Sequence, residues 1–181
     1  MPGSRYSRVA ILLHWTIALL IVFNLWLGLA DDSLPEAWPV MPVHKAVGIT
    51  ILALTLVRIA WRLTHRPPPL PDTMPRWERL GARLSHALLY VFMLVMPLSG
   101  WLLVSNGETL RPLTWFWLFD IPYLRISPAV GEIAHTMHER LGWPFMALIV
   151  LHVAAALKHH LVDRDAVLAR MAPLFRQRRS A

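Results

Sequence analysis

The chain has 181 residues, 56% of them hydrophobic and only 16% charged, a balance that excludes an ordinary soluble globule. A membrane-crossing helix needs about 20 apolar residues, so four spans fit this length and seven do not. Lys and Arg outnumber Asp and Glu 18 to 11, and the absence of cysteine excludes disulfides, thiolate iron–sulfur clusters and zinc–thiolate sites.

In chain order, residues 9–30 form the first apolar run, broken only by His14, Thr16 and Asn24. It is too long for the apolar segment of a signal peptide and is read as a membrane span. Residues 43–63 and 85–105 give the second and third spans. The third contains Pro97 and Gly100, which membrane helices tolerate where neighbours re-satisfy the backbone. A fourth span covers 132–161, with Pro144 as a possible kink site. The pattern predicts an all-α, integral membrane four-helix bundle. Between spans three and four, the loop 106–130 is rich in Trp, Phe and Tyr and is expected at the headgroup level. His65-Arg66-Pro67-Pro68-Pro69 reads as a stiff extended connector.

The charges orient the spans. Arg5 and Arg8 precede span one, and Arg58, Arg62, Arg66, Arg76, Arg79 and Arg83 gather from the end of span two to the start of span three. Arg164, Arg170, Arg176, Arg178 and Arg179 follow span four. Asp31, Asp32 and Glu36 occupy the first loop, and Glu108 and Asp120 balance Arg111 and Arg125 in the third. The positive-inside rule therefore predicts both termini on the cytoplasmic side. This explains the net charge of +7 without nucleic acid.

Nine histidines is a high count, and several fall inside spans, where ionisable groups are expensive and mark function. His138 and His152 on span four lie within about 40° of one face and roughly 21 Å apart along the axis. With alternating span directions, His44, His135 and His138 form an outer layer. His14, His86 and His152 form a cytoplasmic one, with His159 and His160 at the helix end. A single intramembrane histidine can be a packing residue or part of a proton relay. Two facing pairs at matched depths instead suit bis-histidine ligation of two haems, which without cysteine would be non-covalent. His14, His44, His138 and His152 are the candidate iron ligands. His86 is either an alternative ligand or a hydrogen-bond donor to a haem propionate, and His135 is an alternative in the outer layer.

The segments Arg5-Tyr6-Ser7-Arg8, Leu13-His14-Trp15, Val43-His44-Lys45-Ala46-Val47-Gly48 and Arg58-Ile59-Ala60-Trp61-Arg62 carry a resemblance, as do Leu84-Ser85-His86-Ala87, Met96-Pro97-Leu98-Ser99-Gly100-Trp101, His138-Glu139 and His152 to His160. Together they resemble the bacterial cytochrome b561 family, and more distantly the cytochrome b subunits of formate dehydrogenases and nickel–iron hydrogenases. The resemblance covers most of the chain, so that 1–181 is read as one transmembrane domain in a bacterial inner membrane. It implies ligands from spans one, two and four, pairing His14 with His152 and His44 with His138 around two b haems.

The resemblance further implies ubiquinone as acceptor near the cytoplasmic side, where Lys158, His159, His160, Arg8 and Ser7 are candidates for its polar contacts. On the periplasmic side Lys45 and Arg140 are candidates for binding propionates or steering an anionic donor. Some relatives of this kind oxidise superoxide and reduce quinone, which is the leading expectation. The alternatives are a cytochrome b anchor subunit joining a periplasmic dehydrogenase, hydrogenase or reductase to quinone, and a proton-coupled transporter. No dinucleotide fingerprint, Walker loop or hydrolase constellation is present.

Overall fold

A computed structural model of the chain describes residues 5–71, 74–106 and 112–172. Glu108, Arg111, Arg176, Arg178 and Arg179, counted above among the orienting charges, lie outside these residues. Four long helices dominate: α1 (Arg8–Ala30), α2 (Val40–Thr64), α3 (Arg76–Val104) and α4 (Pro128–Leu161), followed by the short α5 (Val167–Met171). All four long helices are apolar and long enough to cross a membrane.

Local chemistry sets their ends. Ser7 caps α1, its Oγ accepting from the Ala10 amide at 3.2 Å. Beyond α2 the chain turns extended at His65, ahead of three prolines that cannot continue a helix. α4 starts on Pro128, where the missing amide costs nothing. Helix α3 contains the span 85–105 and begins ahead of it at Arg76, because Arg76-Trp77-Glu78-Arg79-Leu80 has good helix formers although too polar to count as membrane-buried. Helix α4 likewise begins before the apolar run and continues through Pro144.

Helix α1 packs on α2, α2 on α3 and α3 on α4, whereas the backbones of α1 and α4 scarcely approach each other. The bundle is inside-out relative to a soluble one, with Leu12, Leu19, Val22, Leu56, Leu88 and Val150 among many large apolar side chains left exposed. Where lipid replaces water, these outward faces carry no hydrophobic penalty. The buried core of Ile17, Ile21, Val47, Ile51, Met93 and Phe145 joins all four helices. Phe145 stands midway in sequence between His138 and His152 and stacks on Phe92 with ring centres 5.2 Å apart. The core thus lies between the two histidine levels.

Part of the aromatic loop forms a hairpin, β1 (Thr114–Trp115) with β2 (Phe119–Asp120), antiparallel with Trp115 opposite Phe119. Phe116 and Trp117 take positive φ at its tip, 46° and 60°, an uncommon conformation for bulky residues. Trp115 donates through Nε1 to Thr50 Oγ1 at 3.0 Å, fastening the hairpin to α2. Trp117, Leu118 and Phe119 remain exposed.

Candidate functional site

The histidines separate into two layers. In the first, His44 on α2 faces His138 on α4, with ring centres 6.1 Å apart and planes at 86°. In the second, His14 on α1 faces His152 on α4 at 6.3 Å and 68°. His86 on α3 approaches the same His152 ring at 5.5 Å.

Distance distinguishes these contacts. An axis of imidazole, metal and imidazole contains two metal–nitrogen bonds of about 2 Å, which with the two ring radii separates the ring centres by roughly 6 Å. The 6.1 and 6.3 Å pairs match that span. The 5.5 Å contact of His86 is shorter.

The first layer is the more constrained. His44 Nδ1 donates to the Asn24 carbonyl at 3.0 Å, and His138 Nδ1 donates to the Met96 carbonyl at 3.0 Å, with Ser99 Oγ at 3.1 Å. A carbonyl only accepts, so each ring carries its proton on Nδ1 and keeps Nε2 for a metal. The two rings border a cavity of about 440 Å³, within the usual range of ligand sites. Asn24 lines it too, and its Oδ1 is buried with no hydrogen-bond partner among the described residues, an acceptor left for a bound group. The donor set, the ring spacing and this cavity fit a bis-histidine haem.

The second layer is organised by charge. Arg58 donates from Nε to the Tyr90 hydroxyl at 3.1 Å, and the guanidinium groups of Arg58 and Arg62 lie 5.7 and 5.6 Å from the Tyr90 ring centre. Arg58 is near enough to His14, His86 and His152 to act on all three electrostatically. Among the described residues neither arginine forms an ion pair.

At the end of α4, Lys158 pairs with Glu78 at 2.6 Å and Asp163 at 2.8 Å. His159 Nδ1 is held by Asp165 at 2.7 Å and Asp163 at 3.1 Å, and half-buried His160 is adjacent. Lys158 and His159 thus share Asp163 as a partner, within a set of acidic groups that sequence reasoning passed over. Ser7 is already engaged as the α1 cap and as acceptor for Trp61 Nε1 at 3.1 Å, and Arg8 is exposed in the first turn. At the opposite end, Lys45 donates to the Pro112 carbonyl and Arg140 is exposed on α4. His135 Nε2 is hydrogen-bonded to Glu139 at 2.9 Å. Arg58, Arg62, Tyr90 and Ser99 were missed as site residues, the arginines because their charge was counted only towards orientation.

The sequence profile of prokaryotic cytochrome b561 matches residues 5–173. The chain belongs to that family. Similar proteins include cytochrome b561 homolog 2 of Escherichia coli (strain K12), 33% identical over 93% of this chain and 91% of the relative. A Yersinia pestis protein named "Probable superoxide oxidase CybB" is 30% identical over 94% and 97%. Cytochrome b562 of Cereibacter sphaeroides is 31% identical over 94% and 95%. As a prokaryotic cytochrome b561, the chain is a multi-pass membrane cytochrome of b type with a role in electron transfer.

Proposed function

We propose that this cytochrome carries electrons across the bacterial inner membrane from superoxide on the periplasmic side to ubiquinone near the cytoplasmic side, using two non-covalent b haems. His44 and His138 hold one haem, and His14 and His152 hold the other. The observation carrying this reading is the pair of ring separations, 6.1 and 6.3 Å, on helices whose two α4 histidines are fourteen residues apart. Bound haem supplies reversible one-electron chemistry, and the chain supplies ligands, spacing and charge.

Each group of side chains has a task. The Nδ1 bonds of His44 and His138 keep Nε2 available in the ligating tautomer. Arg58 and Arg62, cations at membrane depth supported by Tyr90, neutralise the propionates of the second haem, with His86 as a further donor. Lys45 and Arg140 place two cations at the periplasmic mouth, where they attract an anionic donor. Lys158, His159 and His160 meet the quinone carbonyls, with Arg8 at the same membrane face, and His159 keeps Nε2 for that contact because its Nδ1 is held by carboxylates. Both termini face the cytoplasm in this orientation, and the superoxide assignment is supported by the name of the Yersinia pestis relative, matched over nearly its full length.

The haem-to-protein ratio of the detergent-purified chain tests the reading, together with its oxidised and dithionite-reduced spectra. The expected result is two b haems, with one lost in His138→Ala and one in His152→Ala; folded protein without haem overturns it. Pulsed superoxide should then reduce the purified chain, and added ubiquinone reoxidise it. Failure with superoxide, combined with reduction by a co-purifying iron–sulfur or molybdenum partner, replaces the donor with that of an anchor subunit.

A further inference from the structure

Two stretches of the bundle repeat one arrangement on different helices. On α1, the carbonyl of Asn24 accepts from His44 Nδ1 at 3.0 Å, and Gly28 follows four residues later. On α3, the carbonyl of Met96 accepts from His138 Nδ1 at 3.0 Å, and Gly100 again follows four residues later. In a helix the carbonyl of residue i lies directly below residue i+4, and its second lone pair is free for a side chain from a neighbouring helix. A donor reaching that lone pair must pass the Cβ position of residue i+4.

Here that position is vacant. A Cβ built on Gly28 would stand 3.2 Å from His44 Cε1 and 3.5 Å from its Nδ1. One built on Gly100 would stand 3.0 Å from His138 Cε1 and 3.3 Å from its Nδ1. Neither glycine has a positive φ, so backbone conformation does not call for glycine at these points, and the close approach of the ring does. Gly81, on the same helix as Gly100, has open space at its Cβ position.

The two arrangements differ in one respect. Ser99, only 4% exposed, donates from Oγ to the Met96 carbonyl at 2.9 Å and lies 3.1 Å from His138 Nδ1, so its hydroxyl oxygen is a second acceptor for that ring. At His44 the Asn24 carbonyl is the acceptor given by the geometry.

We propose that Asn24–Gly28 and Met96–Gly100 are matched cradles, each a main-chain carbonyl and a glycine one turn on, that orient His44 and His138, and that Ser99 adjusts the electron donation of His138 alone. The inference rests on the reading of these two histidines as ligands of one haem. All of Gly28, Gly100 and Ser99 are positioning residues, acting through the imidazoles. A second acceptor on Nδ1 gives the ring more imidazolate character, which favours the oxidised metal, so removing it raises the reduction potential of that haem.

The test uses the full-length, haem-loaded protein in detergent, with Ser99→Ala, Gly100→Ala, Gly28→Ala, Gly81→Ala and His44→Ala compared by haem content, low-spin spectra and two-step potentiometric titration. Ser99→Ala is expected to retain both haems and raise one potential while leaving the other unmoved, by about three- to tenfold in reduction equilibrium; tenfold is about 59 mV for one electron. Gly100→Ala is expected to lose one haem or turn it high-spin, Gly28→Ala to do so less completely, and Gly81→Ala to match the wild type. Wild-type spectra and potentials in Ser99→Ala, Gly28→Ala and Gly100→Ala, alongside loss of one haem in His44→Ala, overturn the cradles and leave the ligation reading intact. Two haems retained in His44→Ala overturn the ligation reading itself.

Discussion

The two histidine layers are built on different principles. Around His44 and His138 the rings are tethered to main-chain carbonyls, glycines admit them, and a cavity opens between them. Around His14, His86 and His152, none of the rings is tethered by a hydrogen bond among the described residues. His14 and His86 instead each face the ring of His152, beside Arg58 and the Tyr90 that holds it. A tethered ring has its tautomer and angle decided before any ligand arrives, whereas an untethered ring beside a cation takes its final angle from what binds it. The first layer is therefore expected to tolerate changes of charge and resist changes of shape, and the second to do the opposite.

Removing ligands gives the largest effects. His14→Ala should reduce the haem-to-protein ratio from two to one, whereas His86→Ala should leave it at two, because its 5.5 Å approach to His152 is too short for a ring–metal–ring axis. A spectroscopic haem count decides it, and loss of one haem in His86→Ala with none lost in His14→Ala would exchange their roles.

Charge removal comes next and should separate the layers. Arg58→Gln takes a cation from beside the His14 layer, which should lower the potential of that haem by on the order of tenfold in reduction equilibrium, the other remaining in place. Potentiometric titration with both haems resolved checks the prediction; equal shifts in both would break the comparison.

Smaller effects are expected at the two mouths. Neutralising Lys45 and Arg140 together should slow reduction by superoxide several-fold at low ionic strength, with the difference fading as salt rises, in stopped-flow measurements. An Asp165→Asn variant, which weakens the hold on His159 Nδ1, should keep both haems and slow ubiquinol formation several-fold, measured as steady-state turnover. The smallest effect is at Ser7→Ala, which removes the α1 cap and the acceptor for Trp61 at a cost of about 1 kcal/mol. It should appear as a slightly lower thermal midpoint with unchanged haem spectra.

Much of the architecture was legible without coordinates. Apolar runs of membrane length, broken by proline-rich and charged connectors, specify four spans because lipid forces every backbone group to pair within its own helix. The fourteen-residue interval from His138 to His152 likewise specifies one helix face and two depths, since helical period and rise are local properties. Helix α3 extends ahead of the apolar span 85–105 to Arg76, because its first turns have helix propensity without hydrophobicity.

Which groups meet across the bundle was decided only by tertiary packing. That His152 stands between His14 and His86, that Gly28 and Gly100 each admit an imidazole from another helix, and that Glu78 reaches Lys158 eighty residues away all depend on helix rotation and crossing. No local periodicity encodes these, because they follow from how four surfaces fit together. The sequence by itself determined the number of spans, the depth of each histidine and the excess of charge at one membrane face, all of which follow from transfer energies summed along single helices. Only the tertiary structure decided that His86 approaches the His152 ring, which nitrogen His44 and His138 leave free, and how unlike the two layers are. Those are distances between helices, set by packing within a fraction of an ångström.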